Sequence, residues 1–400
     1  MMQLVLFQFN KKLKNNLFKV TINIIHKNTK QKNTMDKSYE VIVTSIYSGF
    51  SNLNDDILSI IFTMLFASID YTRCHKIISE INKQFKKFVL NIIPILPEIN
   101  FYSTTFKFQK NNGLEEILRE TKNITILKLK GIINDCNLVE SIAEFLKYNS
   151  TLRTLDLSYN KCIRTPITIY IIAQALKYNS TLTELNLKNT RFYTIDIVEV
   201  LKINTSLTIL NLSYTGICGE MLVEVLKHNS TLITLDLSYT GIWGEMLADA
   251  ITKNTTLRTL YVNNNMIDSP GMTAIAEALK NSKLTTIDIS YNNVGHNTAK
   301  AIAESLKTNT TLTTLMLNNT RMHSSEIVAI AKALLINQTL TTMDISYNDL
   351  GYYGAKAIAE TIEINTTLTT LNFSYCNIND DGVKLIAKAL EINTTISAFF

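Results

Sequence analysis

No apolar run in this 400-residue chain is long enough to cross a bilayer. The longest, Ile57 to Ile69, spans 13 residues between Asp56 and Asp70, where a membrane helix needs about 20. Cysteine is sparse as well. Cys74, Cys136, Cys162, Cys218 and Cys376 are scattered, odd in number and never spaced Cys-x-x-Cys. This excludes a disulfide framework and predicts buried free thiols in a reducing compartment, the cytoplasm with the nucleus as the alternative. Histidines 26, 75, 228, 296 and 323 stand alone, with no His-x-x-x-His pair. Cys74 and His75 are neighbours, but on a helix they would point about 100° apart. Phosphate-binding and dinucleotide-binding glycine loops and a Gly-x-Ser-x-Gly elbow are missing too, so neither an enzyme nor a cofactor or metal site is expected.

Acidic residues are absent from residues 1–34, which carry seven lysines: Lys11, Lys12, Lys14, Lys19, Lys27, Lys30 and Lys32. The net charge of +5 comes from this leader. Removing its seven lysines from the 39 basic residues leaves 32 against 34 acidic ones, a balance of −2. The remainder lacks the excess of positive charge a nucleic-acid binder needs, so no nucleic-acid or membrane partner is expected. The leader has no arginine and no small-residue cleavage site. It is acid-free, as targeting peptides are, while Met35 opens a more ordinary stretch, "MDKSYEVIVTSI", so the two readings of 1–34 are a basic leader and an over-extended start, the second being the expectation.

What the chain does have is one phrase, repeated. "LRTLDLSYN" at 152 returns as "LTTMDISYN" at 340, and the phrase opens at 124, 152, 182, 207, 232, 257, 284, 312, 340 and 368, with a partial eleventh at 396. Steps of 25 to 30 residues indicate a solenoid, in which each unit buries its wedge only against the next. In one unit, Leu182, Leu185 and Leu187 face one way from a short strand, and Ile197, Val198, Val200 and Leu201 line one face of a helix. The pattern Leu-x-x-Leu-x-Leu-x-x-Asn/Thr/Cys resembles the leucine-rich repeat, and a 28-residue unit with an "AIAEALKN" helix is similar to its ribonuclease-inhibitor-like class. The resemblance implies an α/β horseshoe, with a parallel concave sheet and convex helices, over 123–400. It also assigns Asn160, Asn265, Asn292 and Asn348, at the ninth position, to a structural ladder of side-chain amides.

Upstream, "NLNDDILSIIFTML" and "IISEINKQFKKF" carry helical spacing without the repeat. Residues 51–93 resemble an F-box. Leu53, Asp55, Ile57, Leu58, Ile61 and Phe62 match its opening, and Ile81, Asn82, Lys83, Phe85 and Phe88 its closing phrase, while Asn54 and Phe85 stand where the family has proline and tryptophan. The resemblance implies an adaptor-binding surface of Leu53, Asp55, Ile57, Leu58, Ile61, Phe62, Ile81 and Phe85. The alternative is a helical cap on the first repeat. The expected organisation is a leader (1–34), a linker (35–50), the F-box-like segment (51–93), a connector or cap (94–122) and the repeats.

Strand residues that cannot reach the core are candidates for a partner: the third, fifth, seventh and eighth of each phrase. The fifth column is acidic and amide-rich, and the eighth holds Tyr159, Tyr214, Tyr239, Tyr291, Tyr347 and Tyr375. A tyrosine column suits an interface, but repeat duplication also leaves such columns. The expected partner-binding set is therefore Asp156, Glu184, Asn186, Lys188, Asp236, Tyr261, Asp288, Met316 and Asp344, clustered on the inner strands and facing a protein with basic groups. An asparagine also ends each helix, and nine of the ten form Asn-x-Ser/Thr sequons. The expectation is a left-handed helix stop, left unmodified.

Three functions fit these readings. The first is an F-box/leucine-rich repeat substrate receptor of a cullin-type ubiquitin ligase. The second is a stand-alone repeat scaffold or inhibitor. The last is a Ran-type GTPase-activating protein, whose usual acidic tail is missing before Phe400.

Overall fold

A computed structural model of the protein describes residues 98–102, 118, 123–133, 136–190, 196–217 and 219–399. The F-box-like residues Leu53, Asp55, Ile57, Leu58, Ile61, Phe62, Ile81 and Phe85 lie outside the described residues, as do the leader and the linker. Strands β1 (Glu98–Tyr102), β2 (Ile126–Lys130), β3 (Thr154–Asp156), β4 (Glu184–Asn186), β5 (Ile209–Asn211) and β6 (Thr234–Asp236) come first. They are followed by β7 (Thr259–Tyr261), β8 (Thr286–Asp288), β9 (Thr314–Met316), β10 (Thr342–Asp344), β11 (Thr370–Asn372) and β12 (Ala398–Phe399). One sheet holds them all in chain order, and from β2 onward every pair is parallel.

From β2 onward, each return to the sheet runs through a helix. These are α1 (Cys136–Tyr148), α2 (Pro166–Tyr178), α3 (Asp196–Val200), α4 (Gly219–Leu226), α5 (Gly244–Lys253), α6 (Ser269–Ala278), α7 (His296–Thr308), α8 (Ser324–Leu334), α9 (Gly351–Ile364) and α10 (Asp380–Ile392). The unequal steps of the sequence are absorbed here: α3 and α4 have five and eight residues where α7 and α9 have 13 and 14. The strands stay at three residues throughout β3 to β11, so the sheet keeps its register while the outer layer varies.

The reason for that constancy is the leucine ladder. The central residues Leu155, Leu185, Leu210, Leu235, Leu260, Ile287, Leu315, Met343 and Leu371 pair in register and are all fully or almost fully buried. Each such side chain contributes about 2 kcal/mol of burial, and a slip of one residue would turn it outward. The helices close the core from the other side, as Ile197, Val198, Val200 and Leu201 do in the third repeat. The thiols depart from expectation: Cys376 is buried, but Cys162 is only half-buried and Cys136 is exposed at the start of α1.

Two equivalent glycines test how tightly the helices stack. Gly219 and Gly244 each precede Glu-Met-Leu at the start of α4 and α5. A Cβ on Gly219 would be in ordinary contact with Ile242, Cγ1 at 3.4 Å and Cα at 3.8 Å, whereas one on Gly244 would lie 2.6 Å from the Gly271 carbonyl carbon and 2.5 Å from Ile267 Cγ2. Backbone cannot yield as a side-chain tip does. Gly244→Ala is therefore expected to destabilise the protein by roughly 2 kcal/mol and Gly219→Ala to change it little, as read from the urea unfolding midpoints of the two variants.

Candidate functional site on the concave face

In β3 to β11 the middle residue is buried, and the residues on either side of it, the third and fifth of each phrase, face outward from the core. The fifth-position side chains do not simply stand in solvent. Oδ1 of Asp156, Asn186, Asp236, Asp288, Asp344 and Asn372 accepts the backbone N–H two residues on, at 2.8–3.1 Å. This turn forces the chain out of the strand. Asp and Asn serve it equally well, since only one oxygen is needed.

The negative charge is therefore extra to the turn, although Oδ2 of Asp236 and of Asp344 also accepts from Asn211 and Asn372 of the neighbouring strands, and at Asp288 it is unfavourable. Burial pushes the Asp288 carboxyl up, its hydrogen bonds from Ser290 pull it down, and the like charges of Asp236 and Asp344 raise it further. Around it the fifth-position row runs unbroken in register as Asp236, Tyr261, Asp288, Met316 and Asp344. Five of the nine residues singled out in the sequence are thus strand neighbours. Asp156, Asn186, Glu184 and Lys188 are not among them. They form a separate group on β3, β4 and the turn after β4, with Thr154 Oγ1 donating to Glu184 Oε2 at 3.1 Å and Lys188 Nζ 5.5 Å from the Tyr214 ring centre. Two strand steps, roughly 9.5 Å, part Asn186 from Asp236, with Asn211 between them in register.

The seventh position differs from expectation. Five of its serines, 158, 213, 238, 290 and 346, are buried, and their N–H groups bond the fifth-position side chain. Lys130, Lys188, Asn263, Asn318 and Ser374 keep some exposure there.

The eighth position carries a signal that sequence reading missed. Every residue there is left-handed, from Gly131 (φ 69°) through Tyr159, Asn189, Tyr214, Tyr239, Asn264, Tyr291, Asn319, Tyr347 and Tyr375 (φ 52–61°). Glycine and asparagine adopt this backbone readily, while a tyrosine there costs about 1 kcal/mol. Six of these positions nonetheless hold tyrosine. Tyr214 stacks on Tyr239 with ring centres 3.9 Å apart, and Tyr347 on Tyr375 at 4.7 Å. The hydroxyl contact with Tyr239, followed by burial, pushes the Tyr214 phenol up to about 12. Tyr239, Tyr291 and Tyr347 remain 41%, 44% and 51% exposed. The result is a ladder of rings along the rim of the sheet, interrupted at Asn189, Asn264 and Asn319.

The ninth-position asparagines are buried as the resemblance implies. Asn160 Nδ2 donates to the carbonyls of Leu129 and Leu157, both at 2.8 Å, and its Oδ1 accepts from Ile133 N. The asparagines that end the helices do not adopt the expected left-handed stop. Asn179, Asn254, Asn309, Asn365 and Asn393 are extended, and their amides bind carbonyls of the preceding repeat instead. Among the described residues, no group of three His, Cys, Asp or Glu side chains is placed to hold a metal ion, and no helix is long and apolar enough to cross a membrane.

A sheet of registered parallel strands backed by one helix per step defines a solenoid built for surface contact. The family model described as "Leucine Rich repeat" matches residues 148–166, 253–276, 280–303, 337–359 and 365–387, and the chain is a leucine-rich repeat protein. No curated protein matches it significantly. Among solved structures it is similar to an internalin from Listeria monocytogenes (TM-score 0.48, 16% identity, 78% of this chain and 88% of that one). It is also similar to a leucine-rich repeat-containing protein from Legionella pneumophila (TM-score 0.47, 19% identity, 68% and 88%). A third likeness is to TLR13 in a complex with ssRNA13 (TM-score 0.46, 17% identity, 76% and 37%). Leucine-rich repeat proteins generally mediate protein–protein interaction.

Proposed function

We propose that this protein binds a protein partner on the concave face of its repeats and, in the finer form of the reading, presents it for ubiquitination as an F-box/leucine-rich repeat receptor of a cullin-type ligase. The observation that carries the binding reading is the eighth-position tyrosine column, held in a backbone conformation that asparagine or glycine would occupy at lower cost. A feature that costs stability and leaves rings exposed answers to something other than folding. The second support is the charge on Asp236, Asp288 and Asp344, where asparagine closes the same turn elsewhere in the array. Asp156, Glu184, Asn186 and Lys188 form a secondary contact region nearer the N-terminus, and Tyr261 and Met316 supply apolar surface within the main row. The chemistry is binding, without catalysis by the repeats.

The ligase assignment rests on the F-box-like residues at 51–93 and their position ahead of the repeats. It is tested on the full chain, by binding to the purified adaptor subunit with Leu53→Ala/Phe85→Ala as the control. Binding by the parent and loss in the double variant, with unchanged circular dichroism, is the expected result. No binding by the parent removes the ligase role, and unfolding of the first repeats in the variant makes 51–93 a cap of a stand-alone scaffold. The concave-face assignment is tested separately. Asp236→Ala/Tyr261→Ala/Asp288→Ala is expected to lose the partner while keeping the adaptor, and a retained partner overturns it.

A further inference from the structure

We infer that the rim of the concave sheet holds two cation slots, at Asn264 and Asn319, that together receive an extended, polyproline-like segment of the partner with arginine or lysine side chains three residues apart. This deepens the binding reading above and rests on it.

The slots follow from the gaps in the tyrosine ladder. Tyr239 already stacks on Tyr214, and Tyr347 on Tyr375, so each turns its other face toward a gap. Tyr291, between the two gaps, has neither a stacked ring nor a cation over it among the described residues. A gap of one repeat leaves the flanking rings roughly 9 Å apart, twice the ladder step, which admits one planar group at about 4.5 Å from each ring. Asparagine at the floor, with its short side chain, leaves that space open.

The chain itself shows what fits such a gap. At the N-terminal end of the ladder, where Gly131 stands in place of a tyrosine, Lys130 places its ammonium 4.8 Å from the centre of the next ring, Tyr159. Where it is interrupted at Asn189, Lys188 does the same at 5.5 Å over Tyr214. In both cases the seventh-position residue of the interrupted repeat supplies the cation. The interruptions at Asn264 and Asn319 are preceded instead by Asn263 and Asn318, so the faces of Tyr291 and Tyr347 lack the cation that Tyr159 and Tyr214 have. A cation from outside completes the pattern.

The surroundings carry the matching charge. From the fifth to the ninth repeat the fifth and eighth positions alternate: Asp236 with Tyr239, Tyr261 with Asn264, Asp288 with Tyr291, Met316 with Asn319, Asp344 with Tyr347. Each slot thus lies between two repeats that carry a carboxylate, and its own repeat carries an apolar side chain. Carboxylates draw the cations in, while Tyr261 and Met316 offer surface to aliphatic stems or proline rings.

The spacing selects the backbone of the ligand. Two strand steps separate the slots by roughly 9.5 Å. In a polyproline II segment residues i and i+3 project on one side about 9.3 Å apart, which matches. In a β-strand the same-side residues i and i+2 are about 6.7 Å apart and i and i+4 about 13 Å, and neither matches.

The test measures fluorescence anisotropy of labelled polyproline peptides with the full-length protein. One peptide carries two arginines three residues apart, and its isomer of the same composition carries them adjacent. The expected result is at least tenfold tighter binding of the first, weakened by salt, and reduced to the level of the isomer in Asn264→Tyr/Asn319→Tyr. That variant fills the gaps with the ladder's own residue in a backbone that already accepts it. Asn263→Lys/Asn318→Lys, which copies Lys130 and Lys188, is expected to compete internally and weaken the peptide by a similar factor. Equal binding of the two peptides, no binding, or binding unaffected by filled gaps overturns the slots. Loss of a protein partner in the Asp236/Tyr261/Asp288 alanine variant, with no loss on filling the gaps, also overturns the slots but leaves the concave-face reading standing. Retention of that partner in both variants overturns the concave-face reading as well.

Discussion

Asn254→Asp, a change of one atom type at the end of α5, is expected to lower the stability of the array by about 3 kcal/mol or more. The side chain is buried and fully engaged. Its Oδ1 accepts from Thr256 N at 3.0 Å and Leu257 N at 2.7 Å, while Nδ2 donates to the carbonyls of Leu226 at 2.6 Å and Asn229 at 3.0 Å. Aspartate keeps the two accepted bonds. It loses both donated ones and turns a buried negative oxygen on two carbonyl oxygens, and the effect is not local, because those carbonyls belong to the preceding repeat and stability in a solenoid lies in nearest-neighbour interfaces. Protonation returns one donor, so the loss should shrink as pH falls. Asn281→Asp is the control: Asn281 is exposed, and buried Ser282 bridges to the next repeat through its carbonyl, which accepts from Thr311 Oγ1 at 3.1 Å. Urea midpoints that fall equally in the two variants would remove these asparagines as inter-repeat clamps.

The same residues show why a sequence reports some features and hides others. The leucine ladder was legible because burial imposes a period on residue type, so Leu155 and Met343 announce themselves by spacing alone. The helix-ending asparagines were equally visible as a column, but their role was not. Asparagine satisfies a left-handed stop and an inter-repeat clamp with the same side chain, and only the backbone, extended at Asn254 and Asn309, separates the two. Four of the nine candidate residues sit apart from the other five for a different reason: Glu184 and Lys188 break their columns as Tyr261 and Met316 do, but a column is blind to how many strands lie between two breaks. The alternation from Asp236 to Asp344 was written in the sequence. Its meaning required the knowledge that the eighth position is left-handed, which turns a repeated tyrosine from a copy into a cost.

Replacing Asp236, Asp288 and Asp344 together by asparagine is expected to separate binding from folding. Each asparagine retains the Oδ1 that accepts the N–H of Ser238, Ser290 or Ser346, as Asn186, Asn211 and Asn372 retain it in their own repeats. Two side-chain bonds are lost, those from Asn211 to Asp236 and from Asn372 to Asp344, because an amide Nδ2 replaces the accepting Oδ2, while the mutual repulsion along the row and the burial of the Asp288 charge are relieved. The sum should leave stability at neutral pH within about 1 kcal/mol of the parent. The pH dependence carries the sharper signature. A carboxyl whose pKa is raised on folding gives stability that is complete below its unfolded value and disappears as pH rises through the folded one. The parent should therefore lose a part of its stability as pH rises through the range just above the ordinary aspartate pKa, and the triple variant should not show that part. Binding should respond in the opposite way to stability. Three attractions of roughly 1 kcal/mol each toward a cationic partner amount to about a hundredfold in affinity, most of it also lost by the parent at high salt. A triple variant that unfolds would mean that the carboxylates hold the strands. One that stays folded and binds the partner at parental strength would mean that the charge along β6, β8 and β10 answers to neither folding nor recognition. Only a variant that is folded, free of that loss of stability with rising pH and weak in binding fits a row of carboxylates kept for a partner.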